Sequence, residues 1–411
     1  MSKLQTFILN NKTAKKNLKK YKGTHTKKRV NKNKNKNKNI SKQTKKYNKS
    51  KSFSPEINKL LVSNRKGIYN NLFTCGMEKF LYDKNSFKEF LSSNANLLVN
   101  VGSNKTKKIK CLSWKSKQAK KKALENLKQV KYIDCDLIIA PKQMQSNCWF
   151  NVMFMTFFVS DKGRKFFKFF RQLMIEGKQI DGRIVKPESL AKSFFLLNSA
   201  IDASLYPFNH YKQNGKKIAL YTKTNYLIDY IYDSLPSFAK KQHPSITHSE
   251  DANNPLYYYS GIINYLSNNS INIYKIEGLN HLQEIINSNG MIKDIPDMFA
   301  MSLLTFPYKN NGNKPETFEI KTHEGKAIYS LDSVVIRDTL HEHFACVLTC
   351  NKKGYGFDGA SYNKLELFDW RELLNKNADW TFEGSYWKGT KDSIFWNFQN
   401  GYQLLFYYRI K

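Results

Sequence analysis

The chain has 411 residues, of which 41% are apolar, and a formal net charge of +35. That apolar content is enough for one large domain or two smaller ones. The six cysteines (Cys75, Cys111, Cys135, Cys148, Cys346 and Cys350) contain no C-x-x-C pair. This argues against a zinc ribbon, and the spacing is not a disulfide framework for a chain this long, so a reducing compartment is expected. No sustained apolar stretch near the N-terminus reads as a secretory signal. The longest apolar run, Cys148 to Val159, is too short to span a bilayer. The expectation is an intracellular protein, cytoplasmic or nuclear, without a membrane partner. The richness in Lys, Asn, Ile, Tyr and Phe fits an AT-rich genome, such as that of a large DNA virus or a protozoan, and the former adds the virion or a viral factory as a setting.

The charge is uneven along the chain. Residues 1–52 form a low-complexity Lys/Asn-rich tail, whose Lys32 to Lys38 alternation has nothing to bury; the first fifty residues hold 18 Lys/Arg and no acid. Such a segment is expected to be disordered, and it can contact nucleic acid without sequence preference or serve as a solvated arm or address. Residues 53–139 read as a helical basic extension. Ile57, Leu60 and Leu61, then Phe80 and Leu81, then Phe87, Phe90 and Leu91 have helical spacing. Lys120 to Leu127 reads as a basic amphipathic helix packed by Leu124 and Leu127. Asp134 to Ala140 is a short strand-like run, and Pro141 breaks it.

Residues 140–411 read as one α+β domain, a helical lobe packed on an antiparallel sheet. Phe150, Phe154, Phe157 and Phe158 recur at i, i+4, i+7 and i+8, which predicts a buried helix starting at or just after Cys148. Phe166 to Met174 and Phe194 to Leu197 continue the helical texture. Tyr257 to Tyr259, Ile262–Ile263 and Ile271 to Tyr274 suggest strands or mixed elements. Strand signals then dominate: Ser302 to Phe306, Ala327 to Leu331, Ser333 to Ile336 and Phe344 to Cys350.

The residues with chemistry cluster at two places. Cys148 stands at the first turn of the predicted helix, where unpaired amide N–H groups and the positive dipole end favour thiolate. Those amides, with a side-chain amide from Gln143 or Gln145, can hold an oxyanion. Far downstream, His343 begins a strand whose alternation puts His343, Ala345, Val347 and Thr349 on one face. A turn at Asn351 to Gly354 leads into a second strand, Tyr355 to Gly359. An antiparallel pair joined this way makes His343 and Asp358 neighbours. An acid beside an imidazole orients it, and the imidazolium stabilises a thiolate, so Cys148, His343 and Asp358 read as nucleophile, base and orienter. His341 and Asp369 are the alternative base and acid. A metal site from His341, His343, Cys346 and Cys350 is disfavoured, because one strand does not wrap four ligands tetrahedrally. No cofactor-binding motif is evident.

These motifs carry a family resemblance. Cys148-Trp149 opening a helix resembles papain-like cysteine peptidases. Cys148-Trp149-Phe150-Asn151 is similar to the C-aromatic-x-N part of the Cys box of the ubiquitin-specific proteases, with Gln143 where that family carries its oxyanion Asn. Tyr329 to Val334, His343-Phe344 and Gly354 to Gly359 resemble its His box, and Gly401 to Tyr407 its closing strand. The resemblance covers roughly residues 140–411. It implies a papain-like fold and a thiol peptidase acting on ubiquitin or a ubiquitin-like protein. Glu342 rather than Gly precedes His343, and the family's paired zinc-finger cysteines are missing, which points to altered ubiquitin contacts or another protein substrate. The reading from a different class is a nucleic-acid-associated virion or structural protein that uses a peptidase-like domain as a binding module.

Overall fold

The computed structural model describes residue 75 and residues 97–103, 108–128, 133–144, 146–206, 219–220, 222–251, 253–268, 271, 273–288, 295–303, 312–322, 325–338, 343–387 and 390–411. The chain divides into two units, Met1–Pro55 and Glu56–Lys411, and the described residues belong to the second. The basic tail 1–52 and the helical patterns between Ile57 and Leu91 lie outside the described residues, as do His341, Glu342 and Gln145.

Within the stretch expected to be a helical extension, the described residues from 97 onward include strands before the basic helix. Val99 and Val101 alternate with Asn100 and Gly102 in β1 (Leu98–Ser103), which pairs antiparallel with β2 (Ile109–Ser113). The basic helix follows as α1 (Lys117–Lys128), its start capped where Ser116 Oγ accepts from the Ala119 N–H at 3.1 Å. Ala119, Ala123 and Leu127 are buried at i, i+4 and i+8, while Lys117 and Lys121 are exposed. That apolar stripe joins the same core as Trp149, Phe154 and Phe194, and Trp114 packs on Phe195. Helix α1 and the helices beyond residue 140 thus contribute to one core. The expected strand at Asp134 to Ala140 is instead a 3-10 turn, Cys135–Leu137. Asp134 accepts from the Asp136 N–H, which offers the backbone a local partner in place of a ladder.

The helical lobe holds α2 (Cys148–Phe158), α3 (Asp161–Phe166), α4 (Lys168–Glu176), α5 (Glu188–Leu205), α6 (Thr224–Ser234), α7 (Ser237–Gln242) and α8 (Pro255–Ser267). Every residue of α2 is buried, so it runs through the core rather than along its surface. The Tyr257 to Ile263 stretch, expected to contain strands, is helical in α8. Asn254 caps it by accepting from the Leu256 N–H, Pro255 stands at the first turn, and Tyr258, Tyr259, Ile262, Ile263 and Leu266 form its buried stripe.

The strands β3 (Ile273–Glu277), β4 (Met298–Leu303), β5 (Thr317–Thr322), β6 (Gly325–Arg337), β7 (Phe344–Cys350), β8 (Lys353–Phe357), β9 (Glu366–Leu367) and β10 (Gln403–Arg409) form one sheet in the order β3-β4-β10-β6-β7-β8-β9. The long β6 pairs with β5 through its first half and with β7 through its second. The sheet is antiparallel except at β3–β4, a parallel pair joined through α9 (Gly278–Asn287), which qualifies the expectation of a purely antiparallel sheet.

The alternation expected along β7 is present. Ala345 and Val347 face an aromatic cluster that includes Trp370, Trp380, Phe382 and Trp396, whereas Cys346, Leu348 and Cys350 face the helical lobe. Two disulfides, Cys75–Cys111 and Cys135–Cys350, overturn the expectation that the cysteines form no such framework. The second joins residues 215 apart, a contact that local spacing does not reveal. Among the described residues no helix is long and apolar enough to cross a membrane.

Candidate active site

Three segments meet where the helical lobe touches the end of β7. The first is the extended run before α2. Its Ile139 and Ala140 N–H groups donate to the carbonyls of Ser204 and Asn363, and the Gln143 N–H donates to the Gly359 carbonyl at 2.8 Å. Ser204 Oγ returns a bond to the Ile139 carbonyl. These bonds lay the run between α5 and the loop that follows β8, so Gln143 sits one residue from Asp358 on the facing strand of chain.

The second segment is the start of α2. Asn147 precedes the helix, is fully buried, and its carbonyl accepts from the N–H groups of Phe150 and Asn151. Its Oδ1 accepts from the Met144 N–H at 3.3 Å, and its Nδ2 donates to Thr224 Oγ1 at 2.9 Å. Thr224 Oγ1 in turn donates to Asn151 Oδ1 at 2.6 Å. The first residue of α6 thus ties the residue before Cys148 to the residue one turn after it. Trp149 and Phe150 pack on Tyr258 and Tyr259 of α8 from another side. Cys148 is held at the helix N-terminus by buried polar and aromatic contacts, with 8% of its surface exposed.

The third segment is the β7–β8 hairpin. His343 precedes β7, and its N–H donates to Asp338 Oδ1 at 2.7 Å, while the Asp338 N–H donates to the His343 carbonyl at 3.0 Å. This reciprocal pair fixes the His343 backbone at the strand's beginning. Asp358 follows β8, because Cys346 is in register with Phe357. His343 Nε2 lies 2.6 Å from Asp358 Oδ1, and both side chains are buried. With Nε2 occupied by Asp358, Nδ1 is the ring nitrogen left for Cys148, which lies close enough to the ring to raise its pKa.

Asp358 is itself held on all sides. Its Oδ1 also accepts from the Ala360 N–H at 3.0 Å, and its Oδ2 accepts from the hydroxyls of Ser361 at 2.6 Å and Ser385 at 2.7 Å. Burial alone raises the Asp358 pKa, but the bonds from His343, Ser361 and Ser385 outweigh it and hold the carboxyl below its ordinary value. Burial likewise pushes the His343 ring down, and the bonds and charges of Asp358 and Cys148 reverse this, raising it to about 10. At neutral pH the ring is an imidazolium between a carboxylate and the cysteine sulfur.

The residues expected to act together from spacing, Cys148, His343 and Asp358, are brought together here. Gln143 is beside them through its backbone bond to Gly359; Gln145 lies outside the described residues. Asp369, the alternative acid, is exposed before the 3-10 turn Trp370–Glu372. Cys346 is fully buried on the helical side of the sheet, where burial pushes its thiol well up, and Cys350 is bonded to Cys135, which removes it from any metal set. Sequence reasoning missed Asp338, Thr224, Ser361 and Ser385. The only signal for them is the presence of hydroxyl and carboxylate residues in polar loops, which many other positions share.

No family model matches the chain, and no curated protein sequence matches it. Among solved structures, its mixed helix-and-sheet fold is similar to that of the SAGA Ubp8/Sgf11/Sus1/Sgf73 deubiquitinating module bound to ubiquitin aldehyde, with 11% identity, a TM-score of 0.39, and 67% of this chain and 70% of that chain covered. A module with a Ubp8 variant bound to monoubiquitin has 9% identity and a TM-score of 0.39 over 87% of this chain and 94% of that one. The yeast SAGA module with a mutant Sgf73 has 12% identity and a TM-score of 0.31, covering 67% and 69%. Likeness at this level carries nothing about chemistry, so the reading of the site rests on its geometry.

Proposed function

We propose that the chain is a thiol-dependent hydrolase of papain-like arrangement, a cysteine peptidase similar to the ubiquitin-specific proteases, acting on (iso)peptide bonds. The observation that carries this reading is the His343 ring, buried between the Asp358 carboxylate and the Cys148 sulfur at a helix N-terminus. A structural histidine satisfies its hydrogen bonds with any carbonyl or hydroxyl. A ring kept charged by a buried acid and turned toward a cysteine is an arrangement suited to nucleophilic catalysis.

In this reading the Cys148 thiolate attacks the substrate carbonyl carbon. The developing oxyanion is held by the first-turn amides of α2, with Gln143 as the side-chain donor. His343 then protonates the leaving amine as the C–N bond breaks, which leaves a thioester on Cys148 and a neutral imidazole. Water attacks the thioester while the same ring takes its proton. Collapse releases the carboxylic acid and restores the thiolate–imidazolium pair. Asp358 holds the ring in one orientation throughout and stabilises its charged form.

The test is labelling of the full chain by a ubiquitin carrying a C-terminal electrophile, with the adduct located by mass spectrometry. An adduct at Cys148 that disappears in Cys148→Ala supports both the chemistry and the substrate class. Labelling of Cys148 by iodoacetamide but not by the ubiquitin probe keeps the thiol chemistry and rejects ubiquitin. A Cys148 no more reactive at neutral pH than the thiol of a small peptide rejects the peptidase reading altogether.

A further inference from the structure

Asp358 Oδ2 receives two hydroxyls of different origin. Ser361 is three residues away in the same turn, so its bond is local. Ser385 is 27 residues away and fully within the interior, at 1% exposure. It belongs to a loop, described over residues 380–387 and 390–396, whose two arms are bonded to each other. Trp380 and Trp396 exchange N–H to carbonyl bonds at 2.9 and 2.8 Å, the Ile394 N–H donates to the Ser385 carbonyl, and the Trp387 N–H donates to the Asp392 carbonyl.

The loop is seated on the sheet by close packing. Phe382 lies over Gly356 of β8 so tightly that a Cβ at that glycine would come within 1.9 Å of the ring. Only glycine allows this approach, and Gly356 is two residues from Asp358. At the loop's base, buried Lys314 donates from Nζ to the Phe398 carbonyl at 2.7 Å and to the Leu374 carbonyl at 3.3 Å. The same loop brings the Trp387 and Trp396 rings to 6.3 Å from the His343 ring, centroid to centroid. The loop therefore touches the acid through a hydroxyl and flanks the base with two indoles.

We propose that Ser385 is a positioning residue, through which the seating of the aromatic loop sets the orientation of Asp358 and thereby of the His343 ring. This rests on the peptidase reading above. The carboxylate has a rotational degree of freedom that the turn-local bonds from Ala360 and Ser361 only partly restrict. A donor from a second, independently anchored segment removes it. The loop carries exposed aromatic groups, Tyr386 and Phe395, on its outer side. Contacts made there by a substrate reach Asp358 through a single hydroxyl.

The experiment compares the wild-type chain with Ser385→Ala, Ser385→Thr and Phe382→Leu. Three readouts are used: hydrolysis of a fluorogenic ubiquitin C-terminal amide, the pH dependence of Cys148 alkylation by iodoacetamide, and the melting temperature. Loss of one hydrogen bond to a charged group corresponds to about a tenfold change. Ser385→Ala should therefore lower kcat about tenfold with KM within twofold of wild type, and should change the shape of the alkylation profile. Ser385→Thr, which keeps the hydroxyl, should restore both. Phe382→Leu, which loosens the seat without touching Asp358, should lower kcat in the same direction. A purely structural serine would lower the melting temperature and leave the alkylation profile of the folded protein unchanged. A folded Ser385→Ala with wild-type kcat and profile overturns the proposal. If Ser385→Ala does not fold, a folded Phe382→Leu with wild-type kcat does so instead. A wild-type chain that neither hydrolyses the probe nor shows enhanced Cys148 reactivity overturns the peptidase reading, and this inference with it.

Discussion

Thr224→Val isolates the polar clamp at the start of the Cys148 helix. Thr224 is 1% exposed, and its hydroxyl donates to Asn151 Oδ1 at 2.6 Å and accepts from Asn147 Nδ2 at 2.9 Å. Valine has nearly the same shape, so the packing changes little, but two buried amide atoms lose their partner. Leaving a buried donor or acceptor unsatisfied costs about 1–3 kcal/mol each, so the pair should cost about 2–6 kcal/mol. The lower half of that range holds if a water enters. Thr224→Ser keeps the hydroxyl and should lose only about 1 kcal/mol for the missing methyl. Urea denaturation of the three proteins measures the stability, and iodoacetamide alkylation measures the reactivity of Cys148. Thr224→Val should also slow alkylation, because Asn147 immediately precedes the sulfur-bearing residue and its carbonyl accepts the first bonds of the helix. A Thr224→Val protein within about 0.5 kcal/mol of wild type, the range of ordinary surface substitutions, with unchanged alkylation, would show that the clamp fixes nothing.

Three other expectations follow from the geometry. His343 is raised from 6.5 to about 10, so the stability it contributes is complete below pH 6.5 and is lost as pH rises toward 10. Asp358 is depressed below 3.8, so its contribution is present above that pH and is lost as pH falls through its folded value. The melting temperature should accordingly fall on both sides of the pH 4–6.5 window. The alkaline limb of kcat/KM should fall near pH 10 and move down in Asp358→Asn; a wild-type limb near 6.5 would contradict the ion pair. Opening the Cys135–Cys350 disulfide, by Cys135→Ser with Cys350→Ser, releases a closed loop of 215 residues, which chain entropy equates with about 5 kcal/mol at 25 °C. Identical denaturation midpoints for wild type and this double variant would reject that contribution. Deleting residues 1–52 should leave the melting temperature unchanged, weaken any binding to duplex DNA and make its salt dependence shallower; equal salt slopes with and without the tail would assign the contacts elsewhere.

The parts of the site that were legible in the sequence share a property: their chemistry demands rare residue types at positions set by local periodicity. Cys148 was marked by the aromatic repeat that starts a helix there. His343 and Asp358 were linked because a short turn joins the strands that carry them, so the register is set by a few intervening residues. The helix α8 is hard to read from sequence because its run of tyrosines and isoleucines has strand composition. The Asn254–Pro255 start and the i, i+4 stripe decided otherwise, as burial against α2 rewards a helix that presents those rings on one face. The disulfides are not legible because their partners lie 36 and 215 residues apart, and spacing rules describe only near neighbours.

The supporting residues were illegible for a further reason. Thr224 and Ser385 each contribute one hydroxyl, and the demand on them is only that a hydroxyl arrives at a given place. Many serines and threonines in this chain meet the chemical requirement, and tertiary packing alone decides which one is delivered. For Ser385 the delivering element is the Phe382 ring on Gly356, so the informative residue in the sequence is a glycine in a strand rather than the serine. A Gly356→Ala substitution, which leaves Cys148, His343, Asp358 and Ser385 intact, should therefore unseat the loop and lower kcat in the direction expected for Ser385→Ala. A folded Gly356→Ala protein with full activity would mean that the loop's seat and the acid's orientation are independent, because the added methyl has no room beneath that ring unless the loop moves.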